Sequence, residues 1–500
     1  MRQVVVFITA VVAFVIVAVL LMIFPKPMVF VLLGVLVVVG IFDLTQKKHA
    51  ILRNFPVIGH LRYILEGIGP EIRQYFVESD LEGKPLNRNQ RAYIYSRAKL
   101  QNSNHPFGTE HDLQKEGIEW AKHSIYPSKH LHEAPRVRFG GEKCTQPYYS
   151  SLLNISAMSF GSLSKNAIMA LNKGAEAGGF YHNSGEGSVS PYHQMGGDVV
   201  YQVGTGYFGC RAEDGNFDPE KFKVTAAIPS VKMIELKLSQ GAKPGHGGIL
   251  PASKNNEEIA KIRGVKPHTE VDSPPGHKAF SNALGLLELL DDMRELSGGK
   301  PVGFKLCIGD TTEFEDICKA MVKSGRKPDF ITVDGAEGGT GAAPIVFSDH
   351  VGMPWENALV FVVDTLEKYD LRRSIRVVTS GKIITGFDMF KALCLGADVC
   401  NSARGMMLAL GCIQALECHK NTCPAGVATN NPSKMRGLVV EEKWQRVRNY
   451  HKETVKDFLA LFSAAGCNEL SELNRQYIYK QINGKAVCFS DIYAQYCEIS

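Results

Sequence analysis

From about residue 150 the chain alternates short apolar runs with longer stretches of helical periodicity, and this alternation constrains the fold more than any other feature. The pairs are 152–156 with 164–177, 302–307 with 313–322, 330–333 with 355–368, 376–379 with 386–395, and 398–400 with 406–416; 233–238 is a further apolar run. Alternating strands and helices imply a parallel sheet with crossover helices. Continuously apolar strands imply a sheet covered on both faces. Counting through the weaker stretches gives roughly eight units over about 280 residues, the size of an α/β (β/α)8 TIM barrel. A doubly wound sheet is the alternative. Its nucleotide signature, a strand–GxGxxG–helix opening with an acidic residue about 20 positions on, is not found.

The 500 residues accommodate one barrel plus appendages. Net charge is +5 without a long basic run, which gives no argument for nucleic acid. Twelve scattered cysteines fit a reducing compartment better than a disulfide scaffold. The amino terminus is different in kind. The uncharged apolar run 4–24 is 21 residues long, enough to span a bilayer as a helix. Pro25-Lys26-Pro27 breaks it, and a second run, 28–42, has 15 residues, short of a full span. Lys47, Lys48, Arg53 and Arg62 follow. The positive-inside rule then places the barrel on the cytoplasmic side of the inner membrane. The expected organisation is a transmembrane hairpin over 1–45, a largely irregular lead-in packing on the barrel over 46–149, the barrel over 150–430 and a helical extension over 431–500. Within the lead-in, 64–76 has helical spacing interrupted by Gly69-Pro70.

In a barrel, chemistry gathers where strands end. The first strand runs into Ser156-Ala157-Met158-Ser159-Phe160-Gly161, whose small residues let a flat ring approach the backbone. Asn183-Ser184-Gly185-Glu186-Gly187 sets a carboxylate between glycines, and Gln240-Gly241-Ala242-Lys243 opens a glycine-rich loop. Later strands end at Lys305, at Asp334-Gly335-Ala336-Glu337-Gly338-Gly339-Thr340-Gly341, at Ser380-Gly381-Lys382 and at Ser402-Ala403-Arg404-Gly405. Loops after strands seven and eight often bind phosphate through backbone N–H groups and a helix N-terminus. Gly381 and Gly405 permit close approach there, and Arg404 offers a forked charge. These features fit the phosphate of FMN. Lys305 would stabilise negative charge on the reduced flavin ring.

Three cysteines, Cys412, Cys418 and Cys423, are spaced C-x5-C-x4-C, with Pro424 after the last. Three such thiolates suit a soft metal centre, and three ligands rather than four suggest an iron–sulfur cluster with one open corner. Zinc with His419 as a fourth ligand, or three structural thiols, are the alternatives that spacing leaves open.

The stretches beginning at Ser156, Asn183, Gln240 and Asp334, together with Cys412-x5-Cys418-x4-Cys423-Pro424-Ala-Gly-Val-Ala-Thr, strongly resemble the FMN-binding synthase domain of glutamate synthases over about 150–430. The resemblance implies a (β/α)8 barrel, FMN held among the strand ends (Asn183, Gln240, Gly338, Gly339, Thr340, Lys382 and Ser402 included), and a 3Fe–4S cluster on the three cysteines. It implies reduction of 2-iminoglutarate, made from 2-oxoglutarate and ammonia. By match, Glu186 and Lys243 are the expected catalytic residues at the substrate–flavin face, and Arg263 grips a substrate carboxylate with Lys243.

The sequence departs from the family in three ways. A glutaminase domain with its nucleophilic cysteine and a carboxy-terminal β-helix domain are not found, so ammonia or an amine is expected from outside. The glycine loop carries His246 and Ile249 where the family usually has Glu and Gln, which leaves open a related keto or imino acid as substrate. No nicotinamide-binding module is found, so the electron donor is expected to be a ferredoxin-like protein or a reductase subunit. Two other readings are an electron-transfer subunit without substrate chemistry, and an FMN-dependent 2-hydroxy-acid oxidase using His246 or His277 as base.

Overall fold

Eight short strands close into a parallel barrel in the computed structural model, which describes residues 26–101, 104 and 106–494. They are β1 (Leu153–Ile155), β2 (His182–Asn183), β3 (Val199–Val203), β4 (Val231–Lys237), β5 (Val302–Leu306), β6 (Phe330–Asp334), β7 (Arg376–Ser380) and β8 (Val399–Ser402). Closure is made by β8 on β1, with Cys400 opposite Leu153 and Ser402 opposite Ile155. The helices are α1 (Lys165–Gly178) after β1, α2 (Pro219–Ala226) after β3, and α3 (Glu257–Arg263) with α4 (Ala283–Leu296) after β4. Then come α5 (Thr311–Ser324), α6 (Trp355–Lys368), α7 (Gly386–Cys394) and α8 (Arg404–Leu410), after β5, β6, β7 and β8 respectively. The expected (β/α)8 barrel is present. Between β2 and β3 a short 3-10 turn, Pro191–His193, stands where a helix would.

Local sequence explains the helix ends. Ser164, Asn256, Asn282 and Asp310 accept hydrogen bonds from the backbone N–H of Ala167, Ile259, Gly285 and Thr312 at the starts of α1, α3, α4 and α5. Thr385 and Asp388 form a reciprocal capping box on α7. The expected helix over 406–416 stops at Leu410, because Gly411 takes a left-handed φ of 116°.

The barrel interior is layered with the period of two that a strand imposes. The lowest layer is apolar: Tyr181, Val200, Met233, Phe330, Val378 and Val399. A hairpin of the lead-in, Val137–Phe139 with Tyr148–Ser150, plugs that end. Phe139 and Tyr148 pack into the cluster, Phe139 edge-on to Phe330 at 5.5 Å. Two residues further along each strand the interior turns polar: Asn183, Gln202, Glu235, Thr332, Ser380 and Asn401, all buried. Glu235 collects three hydrogen bonds, from Asn183 Nδ2 at 2.8 Å, Gln202 Nε2 at 2.6 Å and Thr332 Oγ1 at 2.6 Å. β4 and β6 are not neighbours, so the last bond crosses the barrel. Two residues further again come Lys237 and Asp334, at the mouth of the site.

The carboxy-terminal part begins with a helix of 25 residues, α9 (Val440–Ala464). It lies so close to α1 that a side chain on Gly174 would meet Val447 at 2.8 Å. After it the chain departs from the helical expectation. Ile478–Ile482 and Lys485–Cys488 form a hairpin, and Glu119–Ala121 of the lead-in pairs with its first strand. Within Ile478–Ile482 only Ile478 and Gln481 are buried, so the strand is made by its pairing on both sides and not by a burial period of two.

The chain divides into two units, one ending at Asn89 and the other starting at Gln90. The first apolar run, 4–24, lies outside the described residues. The second belongs to a helix, Lys26–Thr45, of 20 residues, which at about 1.5 Å per residue is about 30 Å long. It is longer than the apolar run because the helix takes in Pro27, tolerated in a first turn, and Asp43–Thr45 at its end. Pro27–Thr45 has a mean hydropathy of 2.6 and is long and apolar enough to cross a membrane. The expected break at Gly69-Pro70 is absent: helix Gly59–Ile72 runs through it into a π turn, Arg73–Val77. Proline's fixed φ suits the helix, which continues with one backbone donor fewer.

Candidate active site

The carboxyl ends of the strands bring most of the expected residues into one buried charged cluster. Lys305 Nζ lies 2.9 Å from Asp334 Oδ2 across the β5–β6 edge. Asp334 also accepts from Ser380 Oγ at 2.6 Å and from the Gly241 N–H at 3.1 Å. Burial acts against both charges, yet Asp334 and Glu235 hold the Lys305 ammonium above its ordinary range, and Lys305 with Ser380 holds Asp334 below its own. The ammonium is therefore fixed in place by the barrel itself.

A second group surrounds Glu186. Its Oε2 lies 2.9 Å from Lys237 Nζ, and that ammonium also donates to Gln240 Oε1 at 2.6 Å. Burial raises the Glu186 carboxyl, but Lys237, Lys243 and Arg263 outweigh burial and hold it below the usual range. A side chain on Gly204 or Gly248 would strike Glu186, at 2.7 and 2.5 Å, so two loops close on this carboxylate. Lys243 is 3% exposed, and its ammonium has no hydrogen-bond or ion-pair partner among the described residues. Arg263 closes α3 and is buried. It donates to the Phe160 carbonyl at 3.1 Å and lies over the Phe208 ring at 5.1 Å, while its Nε has no partner. Burial pushes the pKa values of Lys243 and Arg263 down, to about 8 and about 10. Two buried cations without ion-paired carboxylates beside one held anion make a site for an acid.

Ser156, Met158 and Ser159 are buried and Ala157 half-buried under the Asn183–Gly187 loop. A side chain on Gly185 would meet the Ser159 nitrogen at 2.8 Å. Arg404, the first residue of α8, donates to the Glu337 carbonyl and has no carboxylate within ion-pair distance among the described residues. A side chain on Gly339 would meet Arg404 at 3.2 Å, which sets the β6 loop against the start of α8. A phosphate fits the unpaired charge of Arg404 and the chemistry of this corner. The two glycines expected to make room for it serve the protein's own packing. The space beside Gly381 (φ 140°) is taken by Trp355 at 3.0 Å, and that beside Gly405 by the Tyr450 hydroxyl at 2.4 Å. Ser402 Oγ is spent on the Ile383 carbonyl, 2.6 Å away. Lys382 has a left-handed φ of 57°, a side chain on Gly338 would meet Asp334 at 3.2 Å, and Thr340 is exposed with its hydroxyl on the Ala342 carbonyl.

The three cysteines occupy one tightly curled loop after α8, with left-handed φ at Gly411, Gln414, Leu416, Asn421 and Gly426. The Tyr95 hydroxyl holds the Cys412 carbonyl at 2.7 Å. Burial pushes the Cys412 thiol up to about 12, and Cys418 and Cys423 add to the effect, so the three sulfurs feel one another. No three His, Cys, Asp or Glu side chains among the described residues converge as ligands of a single ion do. Cys418 lies 3.9 Å from the position of a side chain on Gly341, which sets the loop against the β6 turn. Lys254 is 3% exposed with no carboxylate partner, and its ammonium donates to the Ser162 carbonyl at 2.7 Å. Asn421 and Asn430 reach from the cysteine segment to the Ser253 and Lys254 carbonyls, at 2.9 and 3.1 Å. A buried cation bolted to a three-thiol loop fits an anionic centre held there.

His277, a candidate base, has both ring nitrogens engaged, with the Tyr207 hydroxyl at 3.1 Å and the Lys237 carbonyl at 2.8 Å. His246 Nδ1 lies 3.0 Å from the Gly247 carbonyl, and its ring is edge-on to Phe347. Sequence reasoning assigned no role to Glu235, Lys237 or Lys254. The first two were detectable as charges inside an apolar strand; Lys254, in an irregular segment after Pro251, carried no such signal.

The family model of the conserved region in glutamate synthase matches residues 127–468. The "glutamate synthase large subunit-like protein YerD" of Bacillus subtilis is 39% identical over 497 residues, covering 91% of this chain and 94% of its own. Archaeal-type glutamate synthase [NADPH] of Thermotoga neapolitana is 32% identical, and the archaeal glutamate synthase [NADPH] of Methanocaldococcus jannaschii 33%. Each alignment covers 64% of this chain and 60% of the relative, so the chain spans about three-fifths of their length.

Proposed function

Because this chain belongs to the glutamate synthase family, we propose that it is an FMN and iron–sulfur oxidoreductase that converts 2-oxoglutarate, or a related keto acid, and free ammonia or an amine into the amino acid. The observation that carries this reading is the set of cations without ion-paired carboxylates at the barrel mouth, buried Lys243 and Arg263 beside Glu186 and half-buried Arg404 at the start of α8. An acid substrate and a phosphate-bearing cofactor are the ligands such charges suit.

Bound FMN would supply the hydride that reduces an imine, and a three-iron cluster would carry single electrons to it from an external donor. The chain's own residues have separable tasks. Lys243 and Arg263 hold the substrate's carboxylate. Glu186, kept ionised by Lys237, would accept hydrogen bonds from the free ammonia or amine and hold it beside the keto carbon; attack on that carbon and loss of water then leave the imine. Lys305, fixed by Asp334, would face the flavin, and Arg404 would hold its phosphate. Cys412, Cys418 and Cys423 would ligate the cluster, with Lys254 as a nearby counter-charge. Ile249, half-buried beside Gly248 and hence near Glu186, offers no hydrogen bond to a keto acid and is the residue on which a related substrate would depend.

The membrane reading is also a proposal: helix Lys26–Thr45 spans the inner membrane and the barrel faces the cytoplasm. The engagement of both His277 nitrogens weighs against a hydroxy-acid oxidase.

The test is the cofactor content of the full chain, purified anaerobically in detergent. FMN, iron and sulfide are expected together. Arg404→Ala should lose FMN and keep iron, and Cys418→Ser should lose iron. Zinc in place of iron, or full FMN occupancy in Arg404→Ala, would count against the assignment.

A further inference from the structure

Exposed large apolar side chains concentrate in the amino-terminal unit, and they continue beyond helix Lys26–Thr45. On helix Gly59–Ile72, Leu61, Ile64, Leu65, Ile68 and Ile72 recur at helical spacing and form a single stripe. Leu61 and Ile64 are each 58% exposed, so within its own unit the described residues leave this stripe uncovered. Arg62 and Glu66, 3.9 Å apart, flank the stripe, with Glu66 turned further from it.

The position of this helix is fixed. Asp43, near the end of helix Lys26–Thr45, is fully buried. It accepts from the Val57 N–H at 2.8 Å and meets His60 Nε2 at 3.0 Å. Gln46 Nε2 donates to the Asp43 carbonyl at 3.1 Å and to the His49 carbonyl at 2.7 Å. These bonds start the amphipathic helix where the apolar helix stops. The connecting segment carries Lys47, Lys48 and Arg53. If helix Lys26–Thr45 crosses a bilayer, the stripe and these cations sit at the level of its headgroups.

We infer that helix Gly59–Ile72 lies in the plane of the membrane surface, its stripe sunk into the acyl boundary of an anionic leaflet. This rests on the spanning role proposed for Lys26–Thr45. An amphipathic helix of this kind sinks about 5–10 Å, and neighbouring Lys and Arg add attraction to anionic lipid. Three features single out lipid as the occupant: the stripe continues from the apolar helix, it lies beside a basic segment, and the exposed apolar surface of the described residues is concentrated here. The helix would then hold the chain leaving the membrane flat against it, before the π turn Arg73–Val77 with its 85%-exposed Phe76.

The test uses the full chain in vesicles of phosphatidylcholine with phosphatidylglycerol. A photoreactive diazirine amino acid replaces Ile64, Ile68, Glu66 or Val37 in turn, and adducts are identified by mass spectrometry. Lipid adducts are expected at Ile64, Ile68 and Val37, and several-fold fewer at Glu66. Those at Ile64 and Ile68 should increase with the phosphatidylglycerol fraction. Lipid adducts at Val37 with water quenching or cross-linked dimers at Ile64 and Ile68 would overturn the inference and leave the span standing. No lipid adduct at Val37 would overturn the spanning role and the inference with it.

Discussion

Burial lowers the Lys243 ammonium to about 8, with Glu186 opposing the shift and Lys237 adding to it. The folded chain binds fewer protons at this position than the unfolded chain above pH 8. The cost of burying the charge is therefore borne in full below pH 8, and stability recovers as pH rises from about 8 to the ordinary lysine value of 10.5. Substrate binding should run the other way, because the charged form is the one that attracts a carboxylate. With 2-oxoglutarate, kcat/KM is expected to fall above about pH 8, and Lys243→Arg should move that limb upward. An unshifted limb would remove Lys243 from substrate binding. Residues of this kind were partly legible in the sequence. Lys243 and Glu186 stand in glycine-rich loops, where charge is conspicuous. The crowding around Gly381 and Gly405 was not legible, since Trp355 and Tyr450 reach them from distant helices. A glycine required by its neighbours reads the same in sequence as one required by a ligand.

Lys391 of α7 shows how elements are joined. It meets Glu119 of the lead-in strand at 2.6 Å and Glu356 of α6 at 2.5 Å, and it lies over the Trp355 ring at 5.1 Å. The same Trp355 fills the space beside Gly381, so this ion triad supports the β7 loop. Removing one partner of a mostly buried pair leaves the other uncompensated, at about 3–5 kcal/mol; here that carboxylate is chiefly Glu356, because Lys480 still meets Glu119 at 3.0 Å. Lys391→Met should lower stability to urea by that amount. A loss below about 1 kcal/mol would mean that solvent relieves the two carboxylates. Elements with strong periodicity, such as α5 or α6, were legible because their apolar faces and caps are local. β2 was not, because it has two polar-capable residues, His182 and Asn183, and is a strand only by pairing with β1 and β3. β3 was missed for a related reason: the chain beyond it runs through a glycine-rich stretch before α2, so the strand–helix alternation is blurred there.

Across the whole molecule, the interior changes from an apolar plug at one end of the barrel to a charged mouth at the other, in steps of two residues along the strands. Glu235 anchors the polar layer, and Lys237, Lys305 and Asp334 stand above it. The cysteine loop touches the β6 turn through Gly341 and reaches the Ser162 segment through Lys254, so electron entry and substrate chemistry would share one rim. The barrel was legible as a whole because strand–helix alternation is a global pattern. The length of helix Lys26–Thr45 was not, because its ends recruit residues outside the apolar run. The claim that joins these parts is that the rim reduces an imine formed from a keto acid and ammonia. It is tested most directly by reducing the flavin of the full chain anaerobically and adding 2-keto acids, each with and without ammonium or an amine. The account predicts reoxidation and release of the corresponding amino acid when keto acid and amine are both present, with 2-oxoglutarate and ammonium giving glutamate. A flavin that stays reduced with every such pair, or is reoxidised equally by the keto acid alone, would contradict it.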